Sequence, residues 1–219
     1  MANQVSAHEF QKITNAEPDQ DGLIECAVVP LRGLVIFPNV ISPISTRNPK
    51  ALSAIQSALH QRHTVIGVAQ RDPSINDVQP KDLYEIGTEL ALSRIIRTGD
   101  DSRSVLAQGR RRVEIVEVIQ QTPHIVVRAR PLADTRVNDH SRNEFMPRVL
   151  HLVQRLAELN PALPEDVIDH ILDVDDPELL SDFVSSALML PLEERQGLLE
   201  IRSAQERLQQ VADLLSHEI

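Results

Sequence analysis

The chain has 219 residues, 42% of them apolar and 25% charged, enough to bury a sizeable core without a disulfide or metal staple. No run of about 18 apolar residues is present, and Met1 to Asp21 has no apolar stretch behind a basic start, which excludes a spanning helix and a secretory signal. A single cysteine, Cys26, cannot form an internal disulfide, so the cytoplasm is the expected compartment.

Residues 1–23 have no sustained period, contain Glu17-Pro18-Asp19-Gln20-Asp21-Gly22 and read as a disordered tail. Residues 24–135 are rich in short Val and Ile runs bounded by Gly, Pro, Asn and Asp. Cys26–Leu31 and Val35–Phe37 read as strands, interrupted by Pro30 and closed by Pro38, with Val40–Ile44 a further extended piece. Asn48-Pro49 has the form of an N-cap followed by Pro at the first helical position. Ala51, Leu52, Ile55, Ala58 and Leu59 then follow at helical spacing, predicting a helix over 49–61. Thr64–Ala69 reads as a buried strand and 71–81 as a loop. Ile86–Thr98, Arg103–Gln108, Val113–Gln120 and Ile125–Leu132 read as further strands, with a tight connection at 98–102, a bulge at Val116, and Arg128 and Arg130 on the solvent side. About six strands and one helix predict a small, strongly bent sheet or pseudo-barrel.

Residues 141–219 change to a 3.6 period and predict an all-α bundle. One face runs from Val149 to Leu159; Pro161 and Pro164 separate it from a helix carrying Val167, Ile168, Ile171 and Leu172. Asp175-Asp176-Pro177 reads as a cap opening a third helix, Pro191 opens a short fourth, and Ala204, Leu208, Val211 and Leu215 mark a long last helix. That helix meets no stop signal before Ile219, as expected of a helix that continues in a longer protein. The fold class is therefore α+β, a β-rich lobe followed by helices. Charge follows the same division: residues 1–22 carry −3, residues 23–142 carry +4 and residues 143–219 carry −11, within a total of −10.

The search for chemistry is mostly negative. No phosphate-cradling G-x-x-x-x-G-K-[ST], no G-x-G-x-x-G and no G-x-S-x-G motif occurs. His60 and His63 lack a third ligand at metal-site spacing, and Asp173, Asp175 and Asp176 suit helix capping better than a cation. Cys26 reads as a buried, inert thiol. Arg110-Arg111-Arg112 is the one dense basic cluster and reads as an exposed turn before the Val113 strand. With aromatics at 2% and an acidic balance, a nucleic-acid surface is disfavoured.

Several runs, in order, resemble the N-terminal domain of Lon proteases. Val29-Pro30-Leu31-Arg32-Gly33-Leu34-Val35-Ile36-Phe37-Pro38 is similar to its opening motif, and Ala51-Leu52-Ser53-Ala54-Ile55 to its first helix. Ile66-Gly67-Val68-Ala69-Gln70-Arg71-Asp72 resembles the following strand and turn, and Asp82-Leu83-Tyr84-Glu85-Ile86-Gly87-Thr88 is the most specific match. Val105-Leu106-Ala107-Gln108-Gly109-Arg110-Arg111-Arg112 continues the series, with Ile171–Pro177, Leu190–Arg195 and Glu206-Arg207-Leu208 in the helical part.

The resemblance implies a PUA-like pseudo-barrel lobe followed by a helical bundle. It also implies a parent that is a hexameric, ATP-dependent, cytoplasmic protease with an AAA+ motor using ATP and Mg and a Ser-Lys dyad. This chain would carry neither motor nor protease and no catalytic, cofactor or metal site of its own. Its partners would be unfolded or damaged polypeptides and further copies of the parent; hydropathy and composition, not the resemblance, argue against a membrane and disfavour nucleic acid. Recognition of non-native chains calls for shallow apolar patches with polar rims, which tolerate many sequences. The candidates are Leu34, Ile36, Phe37, Val40 and Ile41 beside the prolines, with Tyr84 as the one aromatic with a polar tip; Ile36 and Phe37 are also natural core residues. A stand-alone adaptor or scaffold and a PUA-like RNA-binding module are the alternatives.

Overall fold

The alternating apolar pattern that begins at Ile24 builds both cores of a β-rich lobe. In β1 (Ile24–Leu31), Val29 and Leu31 face one cluster with Ile36, Ile44, Ile55, Leu90 and Leu92. Ile24, Cys26 and Val28 face a second, with Ile66, Val68, Val113, Ile125 and Val127. The computed structural model describes residue 10 and residues 12–97, 103–133, 145–159 and 165–218. The chain divides into two compact units, Met1–Leu132 and Ala133–Ile219.

The first unit continues with β2 (Ile41–Thr46), α1 (Pro49–Gln61), β3 (Val65–Ala69), a short 3-10 turn at Pro80–Asp82, β4 (Ile86–Arg97), β5 (Arg103–Gln120) and β6 (Val126–Pro131). The strands order as β2-β5-β4-β3-β1-β6, and β6 also pairs with β5, so the sheet curls back on itself. Only β1 and β3 are parallel; α1 between them supplies the crossover. Asn48 caps α1 as its sequence predicts, its Oδ1 accepting from the amides of Lys50 and Ala51 at 2.9 and 3.2 Å.

Three expectations need correction. Val35–Phe37 is not a strand but a buried loop, bracketed by positive-φ turns at Gly33 and Asn39 that a continuous strand does not allow. Pro30, expected to interrupt, lies inside β1 opposite Val68. Val28 N–H donates to Ile125 and Leu31 C=O accepts from Gln70, so the alternation turns the nitrogen of Pro30 away from β3, to the side where pairing with β6 has ended at Ala27. Finally, Arg103–Gln108 and Val113–Gln120 are halves of one 18-residue strand, so Arg110-Arg111-Arg112 is no turn. The first half of β5 pairs with β2 and the second with β6, and the three arginines span the junction. The register shift between Ile115 and Glu117 places the bulge at Val116, where the broken alternation predicts it.

The described part of 1–23 also departs from the disordered tail expected there. Phe10 is 1% exposed, and Asp19 closes a turn into β1 by accepting from the amides of Asp21 and Leu23 at 2.8 and 3.0 Å. Polarity at Glu17–Gly22 reflects a strap tied by side chains, not a segment without partners.

The second unit contains α2 (Phe145–Leu159), α3 (Glu165–Leu172), α4 (Pro177–Ala187), α5 (Leu192–Glu200) and α6 (Ala204–Glu218). Asp176 caps α4, accepting from the Leu179 amide at 2.9 Å ahead of Pro177. α6 packs on α2 and α4, burying Leu208, Val211, Ala212 and Leu215 against faces that include Val149, Val153, Leu180 and Val184.

Candidate functional site

The β-rich lobe carries a cleft of about 620 Å³ between the end of β1, strand β2, the start of α1 and the loop after β3. Its floor is apolar, from Leu31, Leu34 and Ile44; its rim is polar, from Arg32, Arg47, Asn48 and Asn76. Local sequence fixes that rim. Arg32 donates to the carbonyl of Ile75 and the side chain of Asn76 at 3.1 and 2.8 Å. Asn48 reaches the Asn76 carbonyl at 2.9 Å while still capping α1. Lys50 holds the Val78 carbonyl at 3.0 Å and the Asp77 carboxylate at 2.8 Å. The ammonium beside it keeps the Asp77 carboxyl below the usual carboxylate range. The loop over 72–78 is thus pinned to the helix start, and the cleft is preformed.

The six residues singled out from sequence do not converge. Leu34 is half-buried in the cleft floor, Val40 is half-buried, and Ile41 is 49% exposed on β2, which pairs only with β5. Ile36 and Phe37 leave the candidate patch: they are 2% and 0% exposed, and the Ile36 carbonyl accepts from the Thr88 hydroxyl. Their loop turns inward because Gly109 on β5 lets the backbone lie against the sheet, with Asn39 N–H donating to Gly109 and Gly109 N–H to Val40 at 3.0 and 2.9 Å. A Cβ at position 109 would collide with the Phe37 carbonyl.

Tyr84 belongs to a separate pocket of about 140 Å³ with Leu83, Ile115, Val118, Ile125 and Val127. The Arg71 guanidinium lies over its ring, 4.5 Å from the centroid, and Arg71 Nε donates to the Leu83 carbonyl at 3.0 Å. Val116 and Ile119, 46% and 44% exposed on β5, are apolar surface that the sequence reading did not select. Their signal was available: the bulge that breaks the alternation at Val116 turns apolar side chains outward.

The other sequence candidates take structural positions. The Cys26 thiol is pushed up to about 12, first by burial and then by the Glu89 charge, so it stays protonated at neutral pH. Arg111 pairs with buried Glu89 at 2.6 Å, and Arg112 is 3% exposed. His60 and His63 are exposed, and among the described residues no three His, Cys, Asp or Glu side chains gather as a metal site. No helix among the described residues is long and apolar enough to cross a membrane. The cleft thus sets an apolar floor within a ring of polar, hydrogen-bonding groups.

Comparison with known proteins gives the family. The family described as the ATP-dependent protease La (LON) substrate-binding domain matches residues 25–217. Lon protease 2 of Thermus thermophilus is 32% identical over 192 residues, covering 88% of this chain and 24% of that protein. Lon protease 2 of Herpetosiphon aurantiacus is 29% identical over 196 residues, 90% of this chain and 24% of that protein. The Lon protease of Escherichia coli is 24% identical over 202 residues, 92% and 26%. The chain thus spans about a quarter of the length of these curated relatives. In fold it is similar to the N-terminal domain of the Mycobacterium avium complex Lon protease, with a TM-score of 0.73 at 16% identity over 89% of this chain and 100% of that one. The Lon N-terminal domain protein of Xanthomonas campestris gives a TM-score of 0.60 at 14% identity over 85% and 96%. A β-rich lobe with a preformed, apolar-floored cleft, a helical unit after it and a family match across both lead to one conclusion: the chain belongs to the substrate-binding domain family of the ATP-dependent Lon proteases.

Proposed function

We propose that this chain captures non-native polypeptides for a cytoplasmic, hexameric, ATP-dependent serine protease that degrades misfolded and regulatory proteins. The motor, with its ATP and Mg, and the catalytic dyad lie outside these residues; this chain contributes binding and self-association. The observation that carries the reading is the cleft, with an apolar floor at Leu31, Leu34 and Ile44 and a rim pinned by Arg32, Asn48 and Lys50; Ile41 on β2, outside its lining, adds exposed apolar surface. Such a surface gains little per contact and asks for little sequence, which suits a client defined by exposed apolar segments and not by one motif. An RNA-binding role has less support, because Arg110 and Arg111 are engaged by the chain's own carbonyls and by Glu89.

The test is a titration of the chain with an unfolded, apolar-rich polypeptide and with the same protein folded, read by NMR shifts and fluorescence anisotropy. Micromolar-to-millimolar binding of the unfolded form alone, with shifts at Leu34, Ile41 and Val116, is expected. Equal binding of both forms, or of neither, overturns the reading.

A further inference from the structure

Residues 10 and 12–23 lie across side chains from β4, β5 and β6 as a strap held at several points. Arg110 Nη2 donates to the carbonyls of Phe10 and Ile13 at 2.6 and 3.5 Å. Arg111 Nη2 donates to the Ala16 carbonyl at 2.7 Å, while the Ala16 N–H donates to Glu89 Oε1 at 2.6 Å. Arg128 Nη2 donates to the carboxylates of Asp19 and Asp21 at 2.6 and 2.9 Å. Phe10, at the far end, is 1% exposed. This is how a protein binds a peptide in trans: one buried aromatic, backbone hydrogen bonds, and charges at the end. The strap does not satisfy the groove fully, however. Among the described residues Arg110 Nε is buried without a hydrogen-bond partner, the described strap meeting this guanidinium with carbonyls at Nη2. A guanidinium presents Nε and Nη as a fork that a carboxylate fills with paired, charge-assisted bonds.

We propose that the groove formed by Arg110, Arg111, Glu89 and Arg128 is a peptide-binding site occupied in cis by the strap. It accepts in its place a client segment that combines a large apolar residue with a carboxylate opposite Arg110. This rests on the client-capture reading above and adds a chemical preference and a self-competitor to it.

The probe is a fluorescent peptide copying residues 10–23, added to the whole chain and to its Phe10→Ala variant, with circular dichroism and thermal melting to establish that each is folded. The intact chain's own strap competes at the high effective concentration of an intramolecular ligand, so the Phe10→Ala chain binds the peptide roughly tenfold or more tightly. A peptide carrying Ile13→Glu binds this variant more tightly still, and adding Arg110→Gln removes that gain. An unfolded client displaces the peptide. If Phe10→Ala fails to fold, Asp19→Asn with Asp21→Asn loosens the other end and serves the same comparison. A folded, strap-loosened chain that takes up the peptide no better than the intact one overturns the proposal. A client that binds the chain without displacing the peptide also overturns it and leaves the client-capture reading standing. A chain that binds the peptide but no client in either form overturns client capture, and the competition with it.

Discussion

Glu89 on β4 and Arg111 on β5 meet at 2.6 Å, the carboxylate fully buried and the guanidinium 29% exposed on its side chain. The other carboxylate oxygen accepts from the Thr64 hydroxyl and the Ala16 amide, both at 2.6 Å, so the residue leading into β3, the strands β4 and β5, and the strap share one charge. A buried carboxylate is tolerable because it is paired and hydrogen-bonded; removing it leaves a guanidinium, a hydroxyl and an amide without their acceptor. Glu89→Ala is therefore expected to lower the unfolding free energy by about 3–5 kcal/mol, with loss of hydrogen-exchange protection at the Ala16 amide. Urea denaturation checks the first and exchange the second; a loss below about 1 kcal/mol would reduce the pair to an ordinary surface contact.

The end of the strap depends on pH. The Arg128 hydrogen bond, and after it the Leu23 amide, holds the Asp19 carboxyl below the usual carboxylate range. A depressed folded value contributes stability that is complete above the unfolded value of about 3.9 and is lost as pH falls through the folded one. Acidification through the lowered Asp19 value, beneath the ordinary carboxylate range, is expected to free the Asp21 and Leu23 amides, which bond to Asp19, before the β-rich lobe melts. Arg128→Ala moves the Asp19 titration, followed by NMR, upward toward the ordinary value. An unmoved midpoint would remove Arg128 as the cause.

The elements were legible where local rules and tertiary packing agree. Asn48-Pro49 and Asp176-Pro177 mark their helix starts because a cap and an N1 proline satisfy backbone groups locally. The break at Val116 marks a bulge because alternation along one strand records which face is buried. The misses involve partners far away in sequence. Arg110-Arg111-Arg112 reads as solvated charge until Glu89 and the carbonyls of Phe10 and Ala16 are known to lie opposite. Val35–Phe37 has strand composition, and only Gly109, distant along the chain, shows that it docks as a loop. The cleft was half legible: Leu34 lies in it, but its rim depends on long-range bonds from Arg32, Asn48 and Lys50 that no local pattern records.

Arg207 is the corresponding buried charge of the helical unit. It is 0% exposed, with Nε donating to the Ser181 hydroxyl at 3.0 Å and lying 3.5 Å from Asp182 Oδ1, while Nη1 donates to the Ile201 carbonyl at 2.7 Å. It joins the start of α6 to α4 and to the turn after α5. Arg207→Ala opens a cavity and leaves Asp182, 1% exposed, without this cation, so a loss of about 3–5 kcal/mol is expected. Arg207→Lys cannot reproduce the fork and restores only part of it. Thermal melting of the three proteins checks the order; a lysine variant as stable as the parent would show that charge alone suffices.

Binding and folding can be separated at β2. Ile41 is 49% exposed, so Ile41→Asp removes apolar surface available to a client with a stability change within about 0.5 kcal/mol. Gly109→Ala acts differently. Its Cβ meets the Phe37 carbonyl and displaces the backbone that leads through Val40 to Ile41, so both folding and client affinity should fall, the former by about 1–3 kcal/mol. Leu159→Asp, at a 60% exposed position in the helical unit, is the control and should change neither. Anisotropy with an unfolded client, beside a melt of each variant, separates the three. The exposed face of β2 is part of the client surface if Ile41→Asp weakens binding severalfold at an unchanged melting temperature. If that variant binds as the parent does while Val116→Asp does not, the client lies instead along the bulged half of β5, where Val116 and Ile119 are the exposed apolar residues.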